Sequence, residues 1–184
     1  MVDVLVIGGG ITGAGVLRDC ALRGLKALLI EKGAPGEATT AASTHLVHGG
    51  IRYLLYDRLT THATAWDAGN IVRVAGPLLK RLPIVWPVYA DASHGLATVE
   101  TLVAGYEPFQ RMKDGLTHLR LPPGTVTSLV PGLRREGLRG GVSFDEWWVD
   151  AEGLVRANLD AARTGGAQVL TGWKAVSLLR EGGR

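Results

Sequence analysis

The sequence predicts an α/β fold built on a parallel sheet, and three observations carry that reading. The apolar run Val2-Asp3-Val4-Leu5-Val6-Ile7 has the length and composition of a strand buried on both faces. Gly8, Gly10 and Gly13 follow it in the spacing G-x-G-x-x-G. A second apolar run, Leu25 to Glu31, then ends in an acid about 20 residues past the glycines. Strand, glycine turn, helix, strand and acid stand in the order of a Rossmann-like unit that binds a dinucleotide. Glycines alone would suit an ordinary turn beside a solvated Glu; the complete series does not.

Each element has its own physical reason. Glycines let the chain turn tightly, let backbone N–H groups approach a pyrophosphate, and let the next helix pack close to the strand. Gly9 and Gly15 add two more positions without a Cβ. Ile11 to Gly24 reads as that helix, with Cys20 as a packing residue inside it. Glu31 sits where a carboxylate can accept hydrogen bonds from a ribose. Lys32 to Ala38 is a Gly/Pro loop. Thr39-Thr40-Ala41-Ala42-Ser43-Thr44 then leads through His45 to His48, Gly49-Gly50 and Ile51-Arg52-Tyr53-Leu54-Leu55. Small hydroxyl residues ending in a glycine pair suit backbone held against a ligand, and equally a helix N-cap followed by a turn.

Further on, Leu82 to Ala90 is bounded by Pro83 and Pro87, which suit strand ends or an edge strand. Ala97 to Lys113 is helical, with Gly105 and Pro108 expected to break any long regular helix. Gly140 to Trp148 reads as a strand whose adjacent Trp147 and Trp148 point to opposite faces as packing residues. Asp150 is placed to cap a helix from Ala151 to Thr164, with Leu154, Val155, Leu159 and Ala162 as its apolar face. Gly165-Gly166 stops it, and Gln168 to Thr171 returns to the parallel sheet. Lys174 to Arg180 alternates like a strand, and Glu181-Gly182-Gly183 is a hairpin turn signal.

Composition bounds the function. Across 184 residues, 46% are hydrophobic and 20% charged, the balance of a globular chain, and no apolar run is long enough to span a bilayer. The +3 charge is mild, and no basic run or aromatic-basic ladder points to nucleic acid. A single cysteine excludes an internal disulfide or a cysteine metal cluster and fits a cytoplasmic location. The N-terminus lacks a basic flank, so its apolar run reads as a strand and not as a signal peptide. His62, His94 and His118 lack ligand spacing and read as surface residues; no metal site is visible.

The string TTAASTHLVHGGIRYL, joined to VIGGGITGAG and LIEKG, resembles the FAD-dependent glycerol-3-phosphate dehydrogenases that pass electrons to a quinone. The block VSFDEWWVDAEGLVRANLDAARTGG (142–166) resembles the same family's approach to a long helix of the cofactor domain. That resemblance implies a discontinuous Rossmann-like FAD-binding domain, residues 1–80 and 145–184, around the beginning of a mixed-sheet substrate domain, residues 81–144. It implies cofactor contacts at Gly8, Gly10, Gly13, Glu31, Thr40, Ser43, Thr44, His48, Gly49 and Gly50, with Ala175 offering backbone to adenine. Arg52 and Tyr53 are the substrate-binding candidates, because a planar guanidinium suits bidentate phosphate binding. Family members often carry Lys where this chain has His45.

The implied reaction oxidises sn-glycerol 3-phosphate to dihydroxyacetone phosphate: C2 gives a hydride to the flavin while a base takes the hydroxyl proton. A histidine is a residue type that can serve as a base, but the resemblance places His48 nearer the flavin, the family's base lying past position 184. The chain thus reads as an N-terminal fragment of a longer enzyme that is cytoplasmic, or peripheral at the cytoplasmic face of the membrane. Two other readings stay open: another FAD oxidoreductase of the amine and amino-acid oxidase kind, or an FAD-binding remnant without activity.

Overall fold

The protein is described here by a computed structural model that covers residues 1–179. In chain order it contains β1 (Val4–Ile7), α1 (Ile11–Leu22), β2 (Ala27–Glu31), β3 (Leu46–Val47), α2 (Arg58–Val74) and β4 (Leu79–Tyr89). Then follow α3 (Leu96–Arg111), β5 (Leu119–Leu121), α4 (Pro123–Leu129), β6 (Leu138–Val149), α5 (Ala151–Thr164) and β7 (Gln168–Thr171). Two compact units result: Met1–His45 with the residues from Val149 onward, and Leu46–Trp148. The first unit is discontinuous, yet its first segment closes at His45 and not near Lys80. The reason is α2, absent from the sequence reading, which packs on α3 and draws residues 46–80 into the second unit.

In the first unit, β1, β2 and β7 form a parallel sheet in the order β1-β2-β7. Val6 pairs with Leu29 and Leu29 with Val169, so these three side chains share one face. On that face α1 and α5 pack together through Ala14, Leu17, Ala21, Leu159 and Ala162, with Cys20 buried among them. Small residues let the two helices approach closely: a Cβ on Gly165 would come to 2.9 Å from the Ala21 Cβ. The opposite face is only partly covered, which corrects the expectation of a strand buried on both sides. Leu5 and Ile7 are 43% and 57% exposed, because both helices of this unit lie on the other face.

Beyond β7, residues 173–179 form no regular element, in contrast to the strand expected from Lys174. Their apolar side chains are exposed, so alternation alone finds nothing to bury. Arg180 and the expected turn at Glu181 to Gly183 lie outside the described residues.

In the second unit, β6 is central: β4 lies on one side, while β3 and β5 pair with it antiparallel. β4 runs through both Pro83 and Pro87, and its place at the end of the strand order explains how an edge tolerates them. Val88, Val99, Val103, Tyr106, Phe109, Val142 and Phe144 make the core. α3 is continuous over 16 residues with Pro108 inside it, contrary to the expected break. Pro108 lies on the exposed side of α3, so water can replace the one hydrogen bond it removes. α2 buries Thr61, Ala65, Ala68, Gly69 and Val72, a face too small and polar to read as amphipathic. A Cβ on Gly69 would run into the Met112 carbonyl oxygen, so α2 meets the end of α3 by backbone contact.

Asp150 caps α5 as expected: its Oδ1 accepts the Gly153 N–H at 2.8 Å. Asp150→Ala should lower stability by about 1 kcal/mol, read as a reduced denaturant midpoint with an unchanged slope. An unchanged midpoint would mean that α5 is held by packing alone.

Candidate functional site

The turn after β1 is shaped by two constraints. Gly8 has φ +105°, a region L-residues avoid, and its N–H donates to the Ile30 carbonyl at 2.9 Å, fixing the turn to the end of β2. A Cβ on Gly13 would collide with the Gly8 carbonyl and approach Val6 Cγ1 to 3.3 Å, so that glycine sets the close packing of α1 on β1. Gly9 and Gly10 face side chains instead: a Cβ would lie 3.1 Å from Glu31 Cβ and 3.2 Å from Thr40 Oγ1, respectively. Gly15 has open space around it, so protein packing does not require it.

Glu31 closes this loop. One carboxylate oxygen accepts the Gly9 N–H at 2.6 Å and the other the Gly33 N–H at 2.8 Å. These bonds, Gly33 first and Gly9 second, hold its carboxyl below the usual glutamate range. Thr40, buried, accepts the Ile11 N–H at 3.1 Å with Oγ1, which meets one of the free donors at the start of α1. Ser43 and Thr44 are exposed, and Ser43 Oγ accepts the His45 N–H at 3.2 Å. His45 itself adopts φ +54°, with its ring nitrogens 3.2 Å and 3.1 Å from the carbonyls of Val149 and Ala41. Ala175 is exposed, two residues past the Trp173 N–H that donates to the Glu31 carbonyl at 3.0 Å.

In the second unit, β3 runs into His48-Gly49-Gly50 and a 3-10 turn at Ile51–Tyr53. Gly50 sits at φ +69°, and a Cβ there would press on the Tyr53 ring at 2.7 Å. The Gly50 N–H donates to His48 Nδ1 at 3.2 Å, so a neutral His48 carries its proton on Nε2. Arg52 is exposed; its guanidinium bonds the Tyr53 hydroxyl and lies 4.7 Å from the Tyr53 ring centre. Neither partner is a carboxylate, so the surface ion pair that is the plain alternative for such an arginine does not form among the described residues.

Beneath this turn lies a charged group that no local pattern announces. Tyr106 and Lys113 are fully buried, and Glu146 is 4% exposed. Tyr106 Oη donates to Glu146 Oε1 at 3.2 Å, while Lys113 Nζ bonds Glu146 Oε2 and donates to the Asp145 carbonyl at 3.0 Å. Burial pushes Lys113 down and Glu146 up, each toward its neutral form, and their mutual attraction opposes both shifts. Burial likewise raises the Tyr106 phenol, which stays protonated. The residues are far apart in sequence and have no local signature. His118 also departs from expectation: it is half-buried, with Nδ1 2.7 Å from Glu107, while His62 and His94 are exposed.

Residues 3–184 match the FAD dependent oxidoreductase family, and the chain belongs to it. It is 34% identical over 183 residues to a glycerol-3-phosphate dehydrogenase from Synechocystis, covering 98% of this chain and 33% of that protein. It is 32% identical to an alpha-glycerophosphate oxidase from Enterococcus casseliflavus (97% of this chain, 30% of that one). Identity to a D-erythritol 1-phosphate dehydrogenase from Brucella abortus is 35%, covering 98% and 36%. The chain thus spans about a third of the length of these relatives. Its fold matches that of a glycerol-3-phosphate dehydrogenase from Bacillus halodurans complexed with FAD, at TM-score 0.71 and 24% identity over 100% of this chain and 29% of that one.

FAD is the cofactor of this family, and the glycine loop fits it. The N–H groups of Gly8, Gly9 and Ile11 are bonded within the protein, so Gly10 and Gly13 are the loop glycines whose N–H groups can meet a phosphate. Each Glu31 oxygen, with one N–H bonded, keeps a lone pair for a ribose hydroxyl.

The depressed Glu31 pKa has a consequence for stability. Its stabilising effect is present above the unfolded value of about 4.3 and is lost as pH falls through the lower folded value. Unfolding of the parent and of Glu31→Gln should therefore differ by about 1 kcal/mol near neutrality, after discounting for solvent screening. The gap should close on acidification below the ordinary carboxylate range. A gap independent of pH would assign the effect to shape and not charge.

Proposed function

We propose that these residues serve in an enzyme that oxidises sn-glycerol 3-phosphate to dihydroxyacetone phosphate with FAD and passes the electrons to a quinone. The observation that carries this reading is the strip His48 to Tyr53. Two glycines there bring bare backbone to a buried turn, and a guanidinium without a carboxylate partner stands two positions on. A phosphorylated polyol presents a dianion to such a group, and the names of the relatives in all three cases refer to a polyol phosphate.

FAD, when bound, takes up the two electrons of the oxidised alcohol. Around it, Gly8 shapes the turn, Gly10 and Gly13 offer N–H groups to the pyrophosphate and Glu31 accepts from the adenosine ribose. Thr40, Ser43 and Thr44 line the path of the dinucleotide, and Ala175 gives backbone to adenine. Gly49 and Gly50 lie against the flavin ring, with His48 Nε2–H turned toward it. Arg52 and Tyr53 hold the substrate phosphate, which fixes C2 relative to the flavin. None of the described residues is proposed as the base. A quinone acceptor implies a cytoplasmic protein in peripheral contact with the membrane; no helix among the described residues is long and apolar enough to cross one.

The test is anaerobic mixing of glycerol 3-phosphate with an FAD-loaded full-length enzyme that contains these residues. Bleaching of the flavin band near about 450 nm is expected, with plain glycerol far less effective. Bleaching by an amino acid in place of the phosphate ester would move the protein to the amine-oxidising members. No flavin uptake at all would leave a remnant.

In a full-length enzyme that contains these residues, Arg52→Ala should raise KM for glycerol 3-phosphate by roughly 10- to 150-fold, the equivalent of about 1.5 to 3 kcal/mol, while leaving glycerol nearly unaffected. Equal effects on both compounds in steady-state assays would make Arg52 structural.

A further inference from the structure

The second unit spends a buried charge pair on a place where no chemistry has been assigned. Lys113 and Glu146 are both nearly sealed from water, and a pair of this kind adds little stability over well-packed apolar residues. What it does supply is direction. Lys113 comes from the turn after α3 and is fixed by the Asp145 carbonyl, while the Trp147 indole N–H donates to the Lys113 carbonyl at 2.7 Å. Glu146 is thereby held in one orientation and accepts the Tyr106 hydroxyl hydrogen. The Tyr106 oxygen then packs against Gly49, on the side where a side chain would stand. A Cβ on Gly49 would run into that same oxygen and would lie 3.1 Å from the Ala65 Cβ. The Gly49 carbonyl, for its part, lies 3.0 Å from Thr64 Oγ1, whose single hydrogen it shares with the Thr60 carbonyl at 2.8 Å and the Thr61 carbonyl at 3.2 Å. Gly49 is thus held from below, by α3 on one side and α2 on the other.

We propose that Tyr106, oriented by the Glu146–Lys113 pair and assisted by Thr64, is a positioning residue that sets the Gly49-Gly50 backbone at the angle in which it meets the flavin. The flavin part rests on the reading of the His48–Tyr53 strip given above. Tyr106 does not touch the cofactor; it acts through the Gly49 peptide. The ion pair serves orientation and not stability.

The test uses the full 184-residue chain and the substitutions Tyr106→Phe and Thr64→Val. Tyr106→Phe keeps the ring, which stacks on Phe109 and meets Phe144 edge-on, so the core is retained. Hydrogen exchange of the Gly49 amide, followed by NMR, should quicken about fivefold to tenfold in Tyr106→Phe, while amides of β1 and β2 keep their rates. With FAD loaded, the flavin band and its midpoint potential should shift in Tyr106→Phe, with dissociation of FAD changed much less. Thr64→Val, which frees the Gly49 carbonyl instead, should shift both flavin signals in the same sense. An unchanged Gly49 exchange rate overturns the proposal. Faster exchange with an unmoved spectrum and potential also overturns it, leaving Tyr106 a core residue only. Because exchange is read without flavin, failure of the parent chain to take up FAD would sink the proposed function separately.

Discussion

The Glu31 carboxylate accepts N–H groups from the turn after β1 and from the turn after β2, so one charged group fixes both loops at the end of the parallel sheet. The rest of the dinucleotide end follows from that placement. A side chain at Gly9 would press on Glu31, and the chain from Gly33 onward is brought back so that the Gly36 N–H reaches the Gly9 carbonyl at 3.1 Å. Thr40 then comes to the start of α1 and meets the Ile11 N–H. The geometry that leaves the loop's backbone as a contact surface is therefore set within the protein. A carboxylate with unused lone pairs stands beside it.

The second unit solves a different problem by different means. Its turn at Gly49-Gly50 has no charged side chain of its own to fix it, and a left-handed glycine such as Gly50 is conformationally permissive. Rigidity comes from underneath, through the Tyr106 hydroxyl and the Thr64 hydroxyl. A buried Lys–Glu pair is a costly way to orient a phenol, since each ion is stripped of water. It has the merit of allowing one arrangement only, because an unpaired Glu146 or Lys113 in that interior would be far worse.

How much of this was legible in the sequence depended on whether the partners were local. β1, α1, β2, the glycine spacing, Glu31 and the Asp150 cap all declare themselves within a few residues of the contact they make, or at a spacing dictated by the fold. Pro108 misled because a proline's effect on a helix depends on which side faces water, which its own position does not reveal. α2 was missed because its buried face is Thr61, Ala65, Ala68 and Gly69, small residues chosen for close approach and not for hydrophobicity. Tyr106, Lys113 and Glu146 had no signal at all: a lysine next to Asp114 and a glutamate next to Asp145 read as solvated charges until the fold brings them together. The strip at His48 to Tyr53 was visible only through its resemblance to a family, since composition alone left a turn as an equal reading.

The most direct measurement is a crystal structure of the protein with FAD bound. The account predicts the adenosine ribose hydroxyls on the Glu31 carboxylate, the pyrophosphate over the N–H groups of the Gly8–Gly13 turn, and the flavin ring against Gly49 and Gly50. An FAD lying elsewhere, or one that leaves Glu31 bonded only to Gly9 and Gly33, would contradict it.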